Sequence, residues 1–225
     1  ETASGVPGAV QYGDRTVAEH AFALMLAAAR DVAHMDRTLR DGRWQVSEGL
    51  ELQGRTLGLI GLGGIGCEMA RLASAFGLRV IAWNRSGVPA GIPAETAAID
   101  VLLAQSDVVS LHLGLNAETR EFLNRDRITS MKPGAILINT ARAGLVDGAA
   151  LVAALKDGRL AHAALDVFDV EPLPVGHVLA TLSNVTLTAH AGWKSRAASR
   201  RLLGRALGIA RDDAAAIASG ASLPA

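Results

Sequence analysis

Three side chains with anion-binding or acid–base chemistry lie in the second half of the sequence, each near the end of an apolar run. Arg142 has a planar fork of N–H donors that suits a carboxylate. His190 can donate a proton near neutral pH, and a neighbouring Glu171 would stabilise its imidazolium. The reduction of a 2-oxo acid requires a cation for the substrate carboxylate, a proton donor for the new hydroxyl and a source of hydride.

Each of these residues also has a simpler interpretation. Arg142 could be a surface arginine at a helix start, and Glu171 could cap a turn before Pro172. His190 could be a hydrogen-bonded histidine at a strand end. Their order along the chain and their shared context favour a common site, because active sites are recognised by combined roles. The sequence predicts no metal site.

A glycine loop upstream supplies a candidate binding site for the hydride donor. Residues 56–60 are an apolar run that leads directly into Gly61-Leu62-Gly63-Gly64-Ile65-Gly66 and then into a helical pattern. This is G-x-G-x-x-G between a strand and a helix, typical of dinucleotide binding, although a chance glycine-rich turn is the alternative. Gly61 would permit the tight turn, Gly63 would let backbone N–H groups approach a pyrophosphate, and Gly66 would let helix and strand pack closely.

The second apolar run ends in Asn84-Arg85-Ser86, which contains no carboxylate. A carboxylate at this point normally binds the ribose 2′-hydroxyl of NAD. An arginine beside small hydrogen-bonding side chains would instead hold the 2′-phosphate of NADP. We therefore expect NADP(H) to be preferred with NAD(H) possible. The alternative is that Arg85 is a solvated loop residue and that either cofactor is used.

Segments 138–142, 165–174 and 187–193, in this order after the glycine loop, closely resemble the D-isomer-specific 2-hydroxyacid dehydrogenases, a family that includes glyoxylate/hydroxypyruvate reductases and phosphoglycerate dehydrogenases. The resemblance runs from about residue 16 to the final helix. It assigns catalytic roles to Arg142, Glu171 and His190, and it places Asp166 near the nicotinamide carboxamide. His112 matches a family position that we interpret as structural or cofactor-lining. The expected cofactor-binding residues are Gly61, Gly63, Gly64, Ile65, Gly66, Asn84, Arg85, Ser86, His112, Thr140, Ala141, Arg142, Asp166, His190 and Gly192.

The sequence also departs from the family pattern. Ala189 and Gly114 stand where relatives usually have proline, and Ala143 stands where they usually have glycine. Full-length relatives begin with a separate substrate domain, whereas this chain begins at what resembles the linker. We therefore expect the 225 residues alone to be an incomplete enzyme, whether as a truncated, proteolysed or partly recorded chain.

The pattern of elements explains how these residues could meet at one site. Short apolar runs alternate with alanine-rich helical stretches, which is typical of a doubly wound parallel α/β sheet of the Rossmann type, covered on both faces. We expect a linker over residues 1–14, a dinucleotide-binding domain over 15–192 and a C-terminal helix returning towards the substrate domain over 193–225. The predicted strands are 56–60, 79–83, 107–111, 135–139, 161–167 and 185–187, and the predicted helices are 15–40, 65–76, 94–105, 126–130, 148–156 and 193–218.

Composition excludes several other classes of protein. A formal net charge of zero argues against binding to nucleic acid or to an anionic membrane surface. Cys67 is the single cysteine, so no internal disulfide can form. The apolar stretch 21–29 is far too short to span a bilayer, which needs roughly 20 residues. We expect a cytoplasmic protein.

The leading functional hypothesis is an NADPH-dependent reductase of a small 2-oxo acid such as glyoxylate or hydroxypyruvate. The alternatives are a nucleotide-sensing binding protein of the corepressor kind and a catalytically incomplete nucleotide-binding fragment. We also expect a homodimer, because the helix 15–40 has a wide apolar face. The loop 40–44 that follows it resembles the arm that relatives lay across a partner subunit, and its Trp44 is of a residue type favoured as an anchor in such contacts. Coverage of that face by the substrate domain of a monomer is the alternative.

Overall fold

Seven parallel strands form one sheet in the computed structural model, which describes residues 14–218. The strand order is β3-β2-β1-β4-β5-β6-β7, and every neighbouring pair is parallel. This confirms the doubly wound α/β fold predicted from the sequence. The strands are β1 (Thr56–Ile60), β2 (Arg79–Trp83), β3 (Glu95–Thr96), β4 (Val108–Leu111), β5 (Ala135–Asn139), β6 (Leu160–Leu165) and β7 (Val185–Leu187).

Helices cover both faces of the sheet, so the strands carry apolar side chains on both sides. In β1, Leu57 and Leu59 join a buried cluster with the first and third helices, whereas Ile60 joins the cluster on the opposite face. The helices are α1 (Asp14–Ala29), α2 (Val32–Arg40), α3 (Gly64–Ala75), α4 (Ile99–Gln105), α5 (Arg125–Ser130), α6 (Gly148–Lys156), α7 (Val178–Thr181) and α8 (Arg196–Ala218), with a 3₁₀ turn at Ala143–Leu145.

The prediction of one continuous helix over residues 15–40 is wrong. The chain breaks between α1 and α2, where Asp31 adopts a left-handed backbone with φ of 50°. The Ser47 hydroxyl donates to the Asp31 carboxylate at 2.6 Å, which holds the break against the following loop. Apolar spacing continues across the break, and for this reason the sequence pattern does not reveal it.

The prediction of a helix over residues 94–105 is also wrong in its first half. Glu95 and Thr96 form the short edge strand β3 beside Ile81 and Ala82 of β2, and only Ile99–Gln105 is helical. A two-residue polar strand has no hydrophobic periodicity, so nothing in the sequence marks it.

The last helix begins at Arg196 rather than at residue 193. The interpretation of residues 1–13 as a linker lies outside the described residues, and Asp14 already belongs to α1.

The winding of the sheet reverses between β1 and β4. The chain moves outwards from β1 to β2 and β3, then returns to β4 and continues to β7 on the other side. In open α/β sheets, ligands bind in the crevice outside the carboxyl ends of the strands at such a reversal. Here the crevice lies between Gly61, which follows β1, and His112, which follows β4.

Candidate active site and cofactor cleft

The predicted site residues lie along one edge of the sheet. All seven strands are parallel, so the segments that follow their carboxyl ends meet at the same edge. The fold therefore gathers residues that are more than a hundred positions apart in the sequence. The segments start at Gly61 after β1, Asn84 after β2, His112 after β4, Thr140 after β5, Asp166 after β6 and Thr188 after β7.

Each of the three motif glycines meets a different demand in the loop. Gly61 has a φ of +98°, and a Cβ atom there would lie 2.7 Å from the carbonyl oxygen of His112. A Cβ atom on Gly66 would overlap the carbonyl oxygen of Gly61. Helix α3 can therefore pack this closely against the end of β1 only because residue 66 is glycine. A Cβ atom on Gly63 would meet no protein atom within 4 Å. Gly61 and Gly66 thus serve the fold, whereas Gly63 faces open space.

The N-terminus of α3 lies beside this open space. Gly63 is its N-cap and offers no side chain to the first-turn N–H groups. The amide of Leu62 donates to the Asn84 side-chain oxygen at 3.2 Å, which joins the glycine loop to the end of β2. The buried Asp14 carboxylate lies against Gly64. The carboxylate lies on the Gly64 side of the first turn, so the side open to a phosphate is the one at Gly63.

The loop after β2 is organised by Asn84. Its side-chain amide donates to the Ser86 hydroxyl and to the Gly87 carbonyl, each at 2.9 Å. The Arg85 side chain, in contrast, is 90% exposed, and its guanidinium lies 3.7 Å from the Glu118 carboxylate. Sequence reasoning missed Glu118, which comes from the loop after β4. The Arg85 guanidinium therefore lies at the surface beside one exposed carboxylate.

The segment after β5 is fixed by the buried side chain of Asn139. Its oxygen accepts from the Ala141 amide at 3.0 Å, and its amide group donates to the Arg142 carbonyl at 2.9 Å. The Arg142 guanidinium is exposed and donates to the Ala141 carbonyl at 2.6 Å. Among the side chains that the structure describes, no carboxylate lies within ion-pair distance of it. The Arg142 charge is thus available to an anionic ligand.

The Thr140 hydroxyl is a buried oxygen without a hydrogen-bond partner among the described residues. Buried polar groups without partners are uncommon, because they lose their hydrogen bonds to water without replacing them. The neighbouring Ala141 is half-buried and Arg142 is exposed, so this segment borders the cleft. A bound cofactor is a natural source of the missing partner.

His190 and Glu171 are brought together as the sequence predicts. The Nδ1 atom of His190 lies 2.7 Å from the Glu171 carboxylate, and both side chains are rather more than a third exposed. The other carboxylate oxygen accepts from the Phe168 amide at 3.0 Å. The hydrogen bond with His190, followed by that from Phe168, lowers the pKa of Glu171 below its usual value. No hydrogen bond joins Arg142 to this pair within the described part of the chain.

Asp166 holds the loop that presents His190. Its carboxylate is almost completely buried, and it accepts hydrogen bonds from the Thr188 hydroxyl and from the amides of Ala191 and Gly192. Contact between Asp166 and the nicotinamide carboxamide stays a prediction. The Nε2 atom of His20, in α1, also lies 3.3 Å from this carboxylate, a neighbour that sequence reasoning missed.

His112 belongs to the wall of the cleft. Its Nε2 atom lies 3.0 Å from the Ser110 hydroxyl, and burial lowers its pKa to about 4. The imidazole is therefore neutral at pH 7 and is a poor proton donor. This agrees with its interpretation as a structural or cofactor-lining residue.

Residues 14–218 contain neither a candidate metal centre nor a candidate membrane span. Among these residues no group of three His, Cys, Asp or Glu side chains is arranged to hold a metal ion. None of the helices there is both long and apolar enough to cross a membrane.

The fold and the site define a dinucleotide-binding domain with a histidine–carboxylate pair in the segments that follow β6 and β7. Comparison with known families makes this specific. Residues 22–192 match the family "D-isomer specific 2-hydroxyacid dehydrogenase, NAD binding domain". The chain belongs to this family, as the sequence motifs predict.

Two of the similar proteins are named as reductases. The chain is 43% identical over 192 residues to hydroxypyruvate reductase of Thermotoga maritima, an alignment that covers 83% of this chain and 62% of that protein. The TT0316 protein of Thermus thermophilus has a similar structure, with a TM-score of 0.83 and 43% identity over 97% of this chain and 68% of that one. An acyclic imino acid reductase, Bsp5, solved with NADPH and D-Arg, has a TM-score of 0.83 and 34% identity over 91% and 66% of the two chains. The chain thus spans about two thirds of these relatives or less.

Proposed function

We propose that the protein of this chain transfers a hydride between a nicotinamide cofactor and a small 2-oxo acid, giving a D-2-hydroxy acid. The observation that carries the proposal is the 2.7 Å contact between His190 and Glu171, at the same edge of the sheet as the glycine loop. This contact supplies a proton donor with a fixed orientation beside the cofactor cleft. Membership of the 2-hydroxyacid dehydrogenase family supports the same reaction.

The residues of this chain fit a dinucleotide. The open space at Gly63, at the N-terminus of α3, suits the pyrophosphate, and the unpartnered Thr140 hydroxyl suits a polar group further along the cleft. When bound, the reduced cofactor supplies the hydride. The glycine loop then has only to hold the cofactor in one orientation against the sheet edge.

His190 and Arg142 act on the substrate in this proposal. The Nδ1–H of His190 donates to the Glu171 carboxylate, so the Nε2–H of the imidazolium is left to face the substrate. As the carbonyl carbon is reduced, this proton passes to the carbonyl oxygen and leaves a neutral imidazole. The exposed Arg142 guanidinium pairs with the substrate carboxylate and holds the ketone in place.

Turnover of a panel of 2-oxo acids tests this function. Glyoxylate, hydroxypyruvate and pyruvate should each be compared with NADPH and NADH, in the natural protein at its full length. We expect glyoxylate or hydroxypyruvate to be reduced fastest, as the kinship with hydroxypyruvate reductase suggests. Tight cofactor binding without turnover of any 2-oxo acid would support a nucleotide-sensing protein instead.

We also propose a preference for NADPH, supported by Arg85. No carboxylate directly follows β2, and the Arg85 side chain is 90% exposed at the end of that strand. Arg85→Ala should weaken NADPH binding roughly 10- to 100-fold, as expected for a charge-assisted hydrogen bond, and leave NADH binding nearly unchanged. Fluorescence titration of both cofactors measures this. Equal losses for the two would contradict the proposal.

A homodimer is the remaining proposal. The apolar face of α1 supports it less than expected, because Leu24 and Met25 are buried within the domain and Phe22 packs edge-on against Phe76. Trp44 supports it better, since it is 87% exposed on the loop after α2. Light scattering should give a dimeric mass for this chain and a lower mass for Trp44→Ala. A monomeric mass for both would overturn the proposal.

A further inference from the structure

The backbone at His190 is held in an unusual conformation. Its φ is +50°, in the left-handed region that residues with a side chain rarely adopt. Asp166 binds the chain on both sides of it, through the Thr188 hydroxyl at 2.5 Å and the amides of Ala191 and Gly192 at 2.9 Å. These contacts stabilise the conformation in which the imidazole reaches Glu171.

One further side chain joins this arrangement from another element. His20, in α1, places its Nε2 atom 3.0 Å from the Thr188 hydroxyl and 3.3 Å from the Asp166 carboxylate. The loop also packs closely on the His20 ring, since a Cβ atom on Gly192 would lie 3.4 Å from its Cδ2 atom. The first helix thereby contacts the loop that carries His190.

The hydrogens in this cluster determine which groups donate. The Thr188 hydroxyl has one hydrogen, and it donates this hydrogen to Asp166. Its contact with His20 must therefore be one in which the hydroxyl oxygen accepts. The Nε2 atom of His20 accordingly carries a hydrogen, shared between the Thr188 hydroxyl and the Asp166 carboxylate.

We propose that His20 is a positioning residue for His190: its Nε2–H holds Thr188 and Asp166, which in turn hold the loop that presents His190 to Glu171. The inference rests on the proposed role of His190 as the proton donor. His20 itself contacts neither reacting atoms nor cofactor in this proposal. His20 affects only the orientation of the His190 imidazole.

Two substitutions of His20 test whether its Nε2–H is needed to position His190. His20→Gln places an amide N–H near the position of Nε2, whereas His20→Leu fills a similar volume without a donor. His34→Leu is the matched control, because His34 is a half-buried histidine of α2 outside the cluster. Thermal unfolding and NADPH titration of all three variants then measure folding and cofactor binding separately from positioning.

The first readout needs no activity. Imidazole NMR of this chain reports the Nδ1–H of His190 in its hydrogen bond with Glu171. We expect this signal to weaken in His20→Leu and to persist in His20→Gln and His34→Leu.

The second readout is turnover in the natural protein at its full length. There His20→Leu should lower kcat roughly 10- to 100-fold with little change in the cofactor affinity, consistent with the cost of a misplaced catalytic group, and His20→Gln should recover most of it.

The outcomes separate this inference from the proposed function. If the His190 signal responds to His20→Leu alone while no variant reduces any 2-oxo acid, the positioning role stands and the reductase function fails. An unchanged His190 signal in His20→Leu overturns the positioning role. Equal effects of His20→Leu and His20→Gln also overturn it, since the Nε2–H would then be irrelevant.

Discussion

Substituting alanine at Gly63 and at Gly66 should separate cofactor binding from folding. The two glycines are neighbours in one motif, yet their surroundings differ. A methyl group on Gly63 enters space that holds no protein atom within 4 Å, whereas one on Gly66 overlaps the Gly61 carbonyl oxygen. If the pyrophosphate passes over Gly63, alanine there should impair binding, and alanine at Gly66 should impair folding.

The sizes of the two effects follow from these surroundings. Gly63 is an N-cap, where alanine costs roughly 0.5–1 kcal/mol of stability relative to glycine. Gly66 is helical, so alanine gains about 1 kcal/mol in helix propensity but loses up to about 3 kcal/mol through overpacking, a net loss of about 2 kcal/mol. In binding, Gly63→Ala displaces a phosphate from backbone amides. The loss of one charge-assisted hydrogen bond, roughly 1.5–3 kcal/mol, weakens binding at least about tenfold.

Thermal unfolding and NADPH titration of the same two variants provide the assay. The melting temperature should fall by roughly 4–8 °C for Gly66→Ala and by roughly 4 °C or less for Gly63→Ala. NADPH affinity should fall more for Gly63→Ala. Unchanged affinity in a well-folded Gly63→Ala variant would contradict a phosphate site at Gly63, because the open space there would then lie away from the cofactor.

Two further predictions concern charge. Glu171→Gln should slow reduction in the natural protein at its full length, because it removes the carboxylate charge that holds the Nδ1–H of His190 and orients the imidazole; an unchanged rate would show that Glu171 and His190 do not act together. Burial lowers the pKa of His162 to about 4, below its usual value of 6.5, so the folded protein binds this proton less readily than the unfolded chain. The contribution of His162 to the free energy of unfolding is therefore complete above about pH 6.5. It decreases by up to about 3 kcal/mol as the pH falls to about 4. Urea unfolding should show this decrease, and His162→Gln should reduce it; an identical pH dependence in the variant would contradict it.

The sheet and the placement of the site could be predicted from the sequence because both depend on local patterns. β1, β2, β5 and β7 have the predicted bounds, since each is an apolar run between turn residues. Parallel strands then place the segments after them at one edge, whatever their separation in the sequence. The contact between Glu171 and His190 follows from this geometry and from the family motif.

The features that the sequence does not reveal are those that depend on contacts between distant segments. His20 lies on the buried side of a helix whose pattern predicts only packing, and its contact with Asp166 spans α1 and the segment after β6. Glu118 is an ordinary loop residue in the sequence, and only the fold places it beside Arg85. The left-handed backbone at Asp31 likewise has no glycine or proline to mark it.

Hydride transfer in a His190→Ala variant of the natural protein at its full length tests the role of His190 as proton donor most directly. The rate should be followed as the loss of NADPH absorbance in a single turnover with the fastest 2-oxo acid, beside NADPH affinity. We expect a rate roughly 10²–10⁴-fold below that of the unsubstituted protein, the usual contribution of a positioned general acid, with NADPH affinity nearly unchanged. A rate within a few-fold of the unsubstituted protein would contradict it, because His190 would then not be the proton donor.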